Sequence, residues 1–164
     1  MSIRGVLAMV ATVALLNGCA RVDDLDAESE PANGLVGAWL IVETTVSTPD
    51  GTATDENPQP GLYIFTERHF SNMIVPREAR ELFSEERTDE ERLVAYDNFI
   101  ADSGTYELTE SLLTTDNIIA KVPNAMDGGF PYRYTLDRDT LVLTFDGGWA
   151  PPDGEITYRL RRLE

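Results

Sequence analysis

From residue 35 onward, apolar positions come in short runs of β-branched and aromatic residues that alternate with polar ones and are broken by Gly, Pro, Asn and Asp. A period of two sends successive side chains to opposite faces, so these runs read as half-buried strands. Eight are predicted, at 36–45, 62–66, 69–75, 105–109, 112–122, 132–137, 141–145 and 156–163. Most connections are short, as at Glu67-Arg68 and Asp137-Arg138-Asp139-Thr140, which favours hairpins between sequence neighbours. The predicted class is all-β: an eight-stranded antiparallel up-and-down barrel, whose closure removes the open edges of the sheet. A helical insertion interrupts it between the third and fourth strands. Thr88 followed by Asp89, Glu90 and Glu91 is a capping box, Leu93, Tyr96 and Ile100 share one helical face, and Gly104 lies beyond its end. A shorter helix is predicted over 77–84 just before it. Together the two are expected to lay an apolar stripe on the barrel.

A different apolar pattern opens the chain, where Arg4 precedes an uncharged, mostly apolar run over 5–16. This has the charge order and length of an export signal and is too short to span a bilayer. Behind it, Leu16-Asn17-Gly18-Cys19 resembles the lipobox of bacterial lipoproteins. That resemblance implies removal of residues 1–18, acylation of Cys19 and a membrane-anchored product, and Ala20 implies sorting to the outer membrane, facing the periplasm. The alternative is an ordinary secretory signal and a soluble periplasmic or secreted product. Residues 19–34 are acidic and poor in large apolar side chains, with Asp23, Asp24, Asp26, Glu28 and Glu30, and read as a disordered tether to a domain over 35–164. Cys19 is the only cysteine, so no internal disulfide can form.

Charge narrows the partners. Asp and Glu number 29 against 13 Lys and Arg, a net charge of −16. Nucleic acid and bare anionic lipid are excluded, because phosphate binding needs clustered cations. His69 is the only histidine, which rules out a multi-histidine metal site. No cofactor is expected, and a monomer is. Nucleophile-elbow, P-loop and dinucleotide fingerprints are absent from the sequence. An enzyme would have to draw its general base from His69, Glu43 or Glu107, and no catalytic residue is assigned.

Eight strands enclose an interior that side chains can fill or that can hold one small ligand. Tyr63, Phe65, Met73, Tyr106, Tyr132 and Tyr134, with Phe145 and Trp149, offer aromatic and soft surface for such a site, and Ser71, Lys121, Asn124 and Arg133 offer polar anchors. The same aromatics can equally be plain core. Lys121 and Asn124 flank Pro123, which must end the fifth strand, so they are expected at a cavity mouth with Lys121 facing an anionic head group. Trp39, near the start of the first strand, can plug the opposite end. Alternation on the last strand places Arg162 on the face of Ile156, Tyr158 and Leu160, and hence over the Trp39 ring as a structural cation–π pair.

Several of these stretches carry a family resemblance. Gly37-Ala38-Trp39 matches the Gly-x-Trp signature of lipocalins, and the last strand ends in arginines as theirs does. The run Pro60-Gly61-Leu62-Tyr63-Ile64-Phe65-Thr66, then Arg68-His69-Phe70-Ser71, Ser103-Gly104-Thr105-Tyr106, and Ala120-Lys121 with Pro123-Asn124 and Met126, is similar to the bacterial lipocalin-like domain family. The resemblance implies a calycin-type barrel and a small hydrophobic ligand or lipid as partner. It also implies that the proline-containing segment 47–60 is a long loop gating the mouth, opposite Trp39. Two other readings stay open: an isomerase or cyclase acting on an apolar substrate, and a structural or interaction lipoprotein with a filled barrel. Fold alone does not choose among them.

Overall fold

The computed structural model describes residues 33–148 and 150–164. The signal, Cys19 and most of the tether lie outside the described residues, as does Trp149.

Among the described residues, nine antiparallel strands form one sheet: β1 (Gly37–Thr48), β2 (Gly51–Asp55), β3 (Gly61–Phe65), β4 (His69–Ile74), β5 (Ile100–Leu108), β6 (Leu112–Ala120), β7 (Gly129–Asp137), β8 (Thr140–Asp146) and β9 (Glu155–Arg162). Pairing of β9 with β1 closes the sheet into a barrel of eight staves, β1 and β3 to β9. The ninth strand is an addition to the expected set. β1 is long enough to pair with β3 through Gly37 to Leu40 and, further along, with β2 through Thr44 to Thr48. Part of the expected loop 47–60 is therefore a β1–β2 hairpin. Its prolines sit in the turn and in the link to β3, while Thr52 and Thr54 favour extended backbone. Thr45 and Thr54 share a cross-strand hydroxyl contact of 3.0 Å. Gly51, with φ of 147°, takes a backbone conformation that side-chain-bearing residues disfavour.

Inward positions recur with period two and build one continuous core. Phe70 and Ile74 alternate with exposed or half-buried neighbours on β4, as do Leu141, Leu143 and Phe145 on β8 and Ile156, Tyr158 and Leu160 on β9. Burial of each such large apolar side chain stabilises the fold by about 1.5–3 kcal/mol. A bulge between Ile41 and Glu43 resets the alternation on β1, so that Trp39 and Ile41 and then Thr44 and Val46 meet inward residues of β9. A second bulge lies opposite Ser103 and Gly104 of β5. A Cβ on Gly104 would meet the Asp116 carbonyl oxygen at 1.9 Å, so only glycine permits this approach of β6.

One end of the barrel is plugged. Trp39 is fully buried, and its indole N–H donates to the Leu35 carbonyl at 2.8 Å. The Arg162 guanidinium stands 4.1 Å from the Trp39 ring centre and donates to the carbonyls of Val36 and Gly34. The opposite end carries the β1–β2 hairpin with its link to β3, the β4–β5 and β6–β7 connections and the β8–β9 loop.

Helix α1 (Asp89–Asp97) lies in the β4–β5 connection, between the third and fourth staves. Its capping box is formed: the Thr88 hydroxyl accepts from the Glu91 N–H at 3.1 Å, and the Glu91 carboxylate accepts from the Thr88 N–H at 2.7 Å. Two expectations are corrected here. Residues 77–84 are irregular rather than helical, and α1 buries none of its residues, Leu93 and Tyr96 included. Ile100, placed on the helical face by the pattern, belongs to β5, because the helix ends at Asp97 and Asn98 turns the chain away. Among the described residues, no helix is long and apolar enough to cross a membrane.

Candidate functional site

Aromatic rings fill much of the barrel, from Phe65 and Tyr106 near the plugged end to Phe130 and Phe145 towards the open end. Tyr63 stacks near Phe65 at 6.0 Å, Phe65 meets Tyr106 edge-on at 5.3 Å, and Phe130, Tyr132 and Phe145 pack as a T-shaped trio at 4.9–5.6 Å. Tyr106 seals the lower end further by donating to the Thr66 carbonyl at 2.6 Å. Of the expected lining residues, Tyr63, Phe65, Tyr106 and Tyr132 are thus buried on the inner face, and Tyr134 is half-buried with its hydroxyl donating to the Thr109 carbonyl.

Ser71 and Met73 must be corrected. On β4 the inward residues are Phe70, Asn72 and Ile74, so Ser71 and Met73 lie on the outer face, Met73 being 45% exposed and Ser71 bonded to Ser103 at 2.8 Å. Arg133, exposed on β7, pairs with Glu155 at 2.6 Å. Lys121 and Asn124 stand in the β6–β7 connection at the end opposite Trp39, Asn124 exposed on a short 3-10 helix (Pro123–Met126). Lys121 bonds to α1: its ammonium donates to the Tyr96 carbonyl and lies 4.2 Å from the Tyr96 ring centre, while the Tyr96 hydroxyl donates back to the Lys121 carbonyl at 3.2 Å. The candidate bases do not converge. His69 and Glu107 are exposed, and Glu43 is held by Arg159 at 3.3 Å. Among the described residues, no group of three His, Cys, Asp or Glu could hold a metal.

On β4, β5 and β6, polar groups replace the rings on the inner face towards the open end. The Tyr63 hydroxyl interacts with the Tyr132 hydroxyl and the Asn72 side chain, and burial pushes Tyr63, Tyr132 and Tyr158 above the usual phenol range. Asn72 is 3% exposed and accepts the Asp102 N–H at 3.1 Å. Asp102, opposite Asn72 across the β4–β5 ladder, shares the inner face with Gly104 and Tyr106, and its charge is felt by Tyr132. Desolvation raises the Asp102 carboxyl above its ordinary value, while the Lys121 charge lowers it. Thr115 and Asn117 complete the set from β6.

Beside this polar zone is a cavity of about 260 Å³. Ile41, Thr44 and Val46 of β1, Ile74 of β4 and Tyr158 of β9 form its walls, and residues 53–55, 58 and 59 face it from the hairpin and its link. A larger groove of about 520 Å³ runs between segment 77–83 and α1, outside the barrel and bounded mostly by exposed side chains. A ligand there would bury little of itself. The smaller cavity is the candidate site because its inner walls are continuous with the core.

Asn72, Asp102 and Asn117 escaped the sequence reading. Alternation from Phe70 and Ile74 signals Asn72, whereas Asp102 fell outside the predicted strand, which began at residue 105 rather than at Ile100.

Comparison with known proteins adds the family. No curated protein matches the sequence. A crystal structure of a lipocalin-like protein from Bacteroides uniformis aligns with 80% of this chain and 100% of its own, at 13% identity and a TM-score of 0.46. One of an uncharacterized protein from Bacteroides eggerthii aligns with 78% of this chain and 98% of its own, at 12% identity and a TM-score of 0.44. The sequence profile of a lipocalin-like domain matches residues 36–154, most of the chain and nearly all of its barrel, and on that match the chain belongs to the lipocalin-like domain family.

Proposed function

We propose that this protein binds a small apolar or amphipathic molecule in the open end of its barrel, and that Cys19 carries a lipid anchor holding it at the bacterial cell envelope. The observation that carries the binding reading is the cavity of about 260 Å³ between Ile41, Val46, Ile74 and Tyr158. Apolar walls with a few polar groups at one side are the usual make-up of a small-molecule site. The rings that fill most of the interior limit the ligand to the space between β1, β4 and β9 at the mouth, so the occupant is small or enters by one end only. Hairpin residues 53–55 face the same cavity, which supports a gating role for the β1–β2 segment. Support for the anchor is the Leu16 to Cys19 motif behind the apolar leader.

Filling the cavity tests the binding reading. The variant Val46→Trp is expected to remove the chemical-shift changes that 1-octanol induces in the wild-type mouth residues, while Thr135→Trp on the outer face keeps them. Equal responses in both variants contradict a site in the mouth. For the anchor, Cys19→Ser is expected to release the protein from the membrane fraction. A mature N-terminus without lipid, by intact mass, contradicts it.

A further inference from the structure

The outer face of the barrel divides into two unlike halves. On β7 and β9 it carries Arg133, Asp137, Glu155 and Arg159, in keeping with a chain of net charge −16. On β1, β3, β4, β5 and β6 two adjoining ladder rows hold no charge. One row runs through Leu40, Leu62, Met73 and Ala101. The next runs through Ile64, Ser71, Ser103 and Ile119, and Leu163 extends it, since its N–H donates to the carbonyl of Ala38, the β1 partner of Ile64. Ile64 is 40%, Leu163 52% and Ile119 63% exposed. The two serines bond to each other, so the rows ask little of water. Cations stand at both ends of the first row. Arg161, paired with Leu40, is exposed and forms no ion pair among the described residues, and Lys121 donates its N–H to the Ala101 carbonyl. A contiguous exposed apolar patch with a polar rim marks an interaction surface.

We infer that this face lies against the lipid surface to which Cys19 anchors the chain, an inference that rests on the anchor reading above. Leu62, Ile64, Met73 and Ile119 enter the boundary between head groups and acyl chains of zwitterionic lipid, and Arg161 and Lys121 meet its phosphates. Tyr96, exposed and packed on the Lys121 ammonium, is an aromatic of the kind that sits at head-group level. No carboxylate on either row has to leave water. The chain from Cys19 to Asn33 reaches at most about 50 Å. It enters the domain just before β1, the strand that carries Leu40. A second copy fits the face poorly. A twofold pairing with the rows in line sets cation against cation at both ends, whichever way the rows run, and adds the repulsion between two chains of charge −16.

The test uses reporter cysteines, Ile64→Cys and Met73→Cys on this face and Thr135→Cys on the other. Each is made in the full chain and purified from a bacterial host, with Cys19 intact or replaced by Cys19→Ser. The acylated proteins are bound to the outside of phosphatidylcholine vesicles, the Cys19→Ser proteins stay in solution, and both are labelled with a membrane-impermeant maleimide. Ile64→Cys and Met73→Cys are expected to label at least about five-fold more slowly on vesicles than in solution, because the face is buried in the lipid boundary. Thr135→Cys is expected to label at one rate in both. Equal rates for the face reporters, or a Thr135→Cys slowed as much as they are, overturn the lipid-facing assignment while the anchor stands. Slowing of the face reporters in solution as protein concentration rises identifies a second copy as the occupant and overturns it too. If intact mass shows no lipid on Cys19, the anchor reading falls. The face then stands only if the Cys19→Ser reporters, mixed with the same vesicles, show the same contrast, and falls if they do not.

Discussion

Arg162 shows how much one side chain can fix in a small barrel. Its guanidinium covers the Trp39 ring and donates to backbone carbonyls on the segment leading into β1, joining the last strand to the first. Arg162→Ala should lower unfolding free energy by about 2–4 kcal/mol, from the lost cation–π contact and the carbonyls left bare. Urea denaturation measures this, and a change under half a kcal/mol would show that the plug holds without its cation. Asp102 acts in the opposite sense. Its carboxyl is raised in the fold by desolvation, so the folded state holds the proton more tightly than the unfolded chain does. Ionised Asp102 therefore costs stability, a cost absent below the ordinary carboxylate range and fully present above the raised value. Asp102→Asn should be at least as stable as wild type at neutral pH, with the difference shrinking as pH falls, by parallel melts across pH. The Arg162 position was legible because period-two alternation on 156–163 is unbroken. Asp102 was not, because Asp-Ser-Gly reads as loop chemistry and only tertiary pairing with β4 and β6 makes it a strand.

At the scale of elements, the β1–β2 hairpin and α1 extend from the open end and contribute little to the core. Every residue of β2 is exposed, and α1 has no buried residue. Replacing 52–57 by a minimal turn should leave the thermal midpoint almost unchanged while speeding release of 1-octanol from the mouth, read by NMR lineshapes. Unchanged release would leave the hairpin a connector. For α1, hydrogen bonds from Thr88 and Ser84 hold the Glu91 carboxyl at about 2, below its ordinary value. A depressed carboxyl supports the helix above the unfolded value and loses that support as pH falls through the folded one. Amide protection at the start of α1 should thus persist into mild acid and fade as pH approaches 2, and Thr88→Ala should lose protection there without moving the global midpoint. The capping box was readable because its signal is entirely local. The hairpin was hidden because Pro49, Pro58 and Pro60 mark a loop, while Thr52 to Thr54 gain their strand character only by lying along the free edge of β1.

For the whole molecule, barrel closure and the family followed from strand spacing and a few signature residues, since short connections leave few alternatives to an antiparallel meander. How far the interior is filled could not be read that way. An aromatic on an inward position looks the same in a sequence whether it packs on another ring or lines a void, and here rings fill most of the barrel while a cavity remains by Tyr158. The β1 bulge also decides that Thr44 and Val46, rather than Glu43, face the cavity. The central claim, that the open end is a ligand site, is tested most directly by native mass spectrometry of the protein purified from its own host. The expected spectrum shows a small adduct at one-to-one stoichiometry that is lost in Val46→Trp. A bare polypeptide mass in wild type, together with no response to 1-octanol, would contradict it.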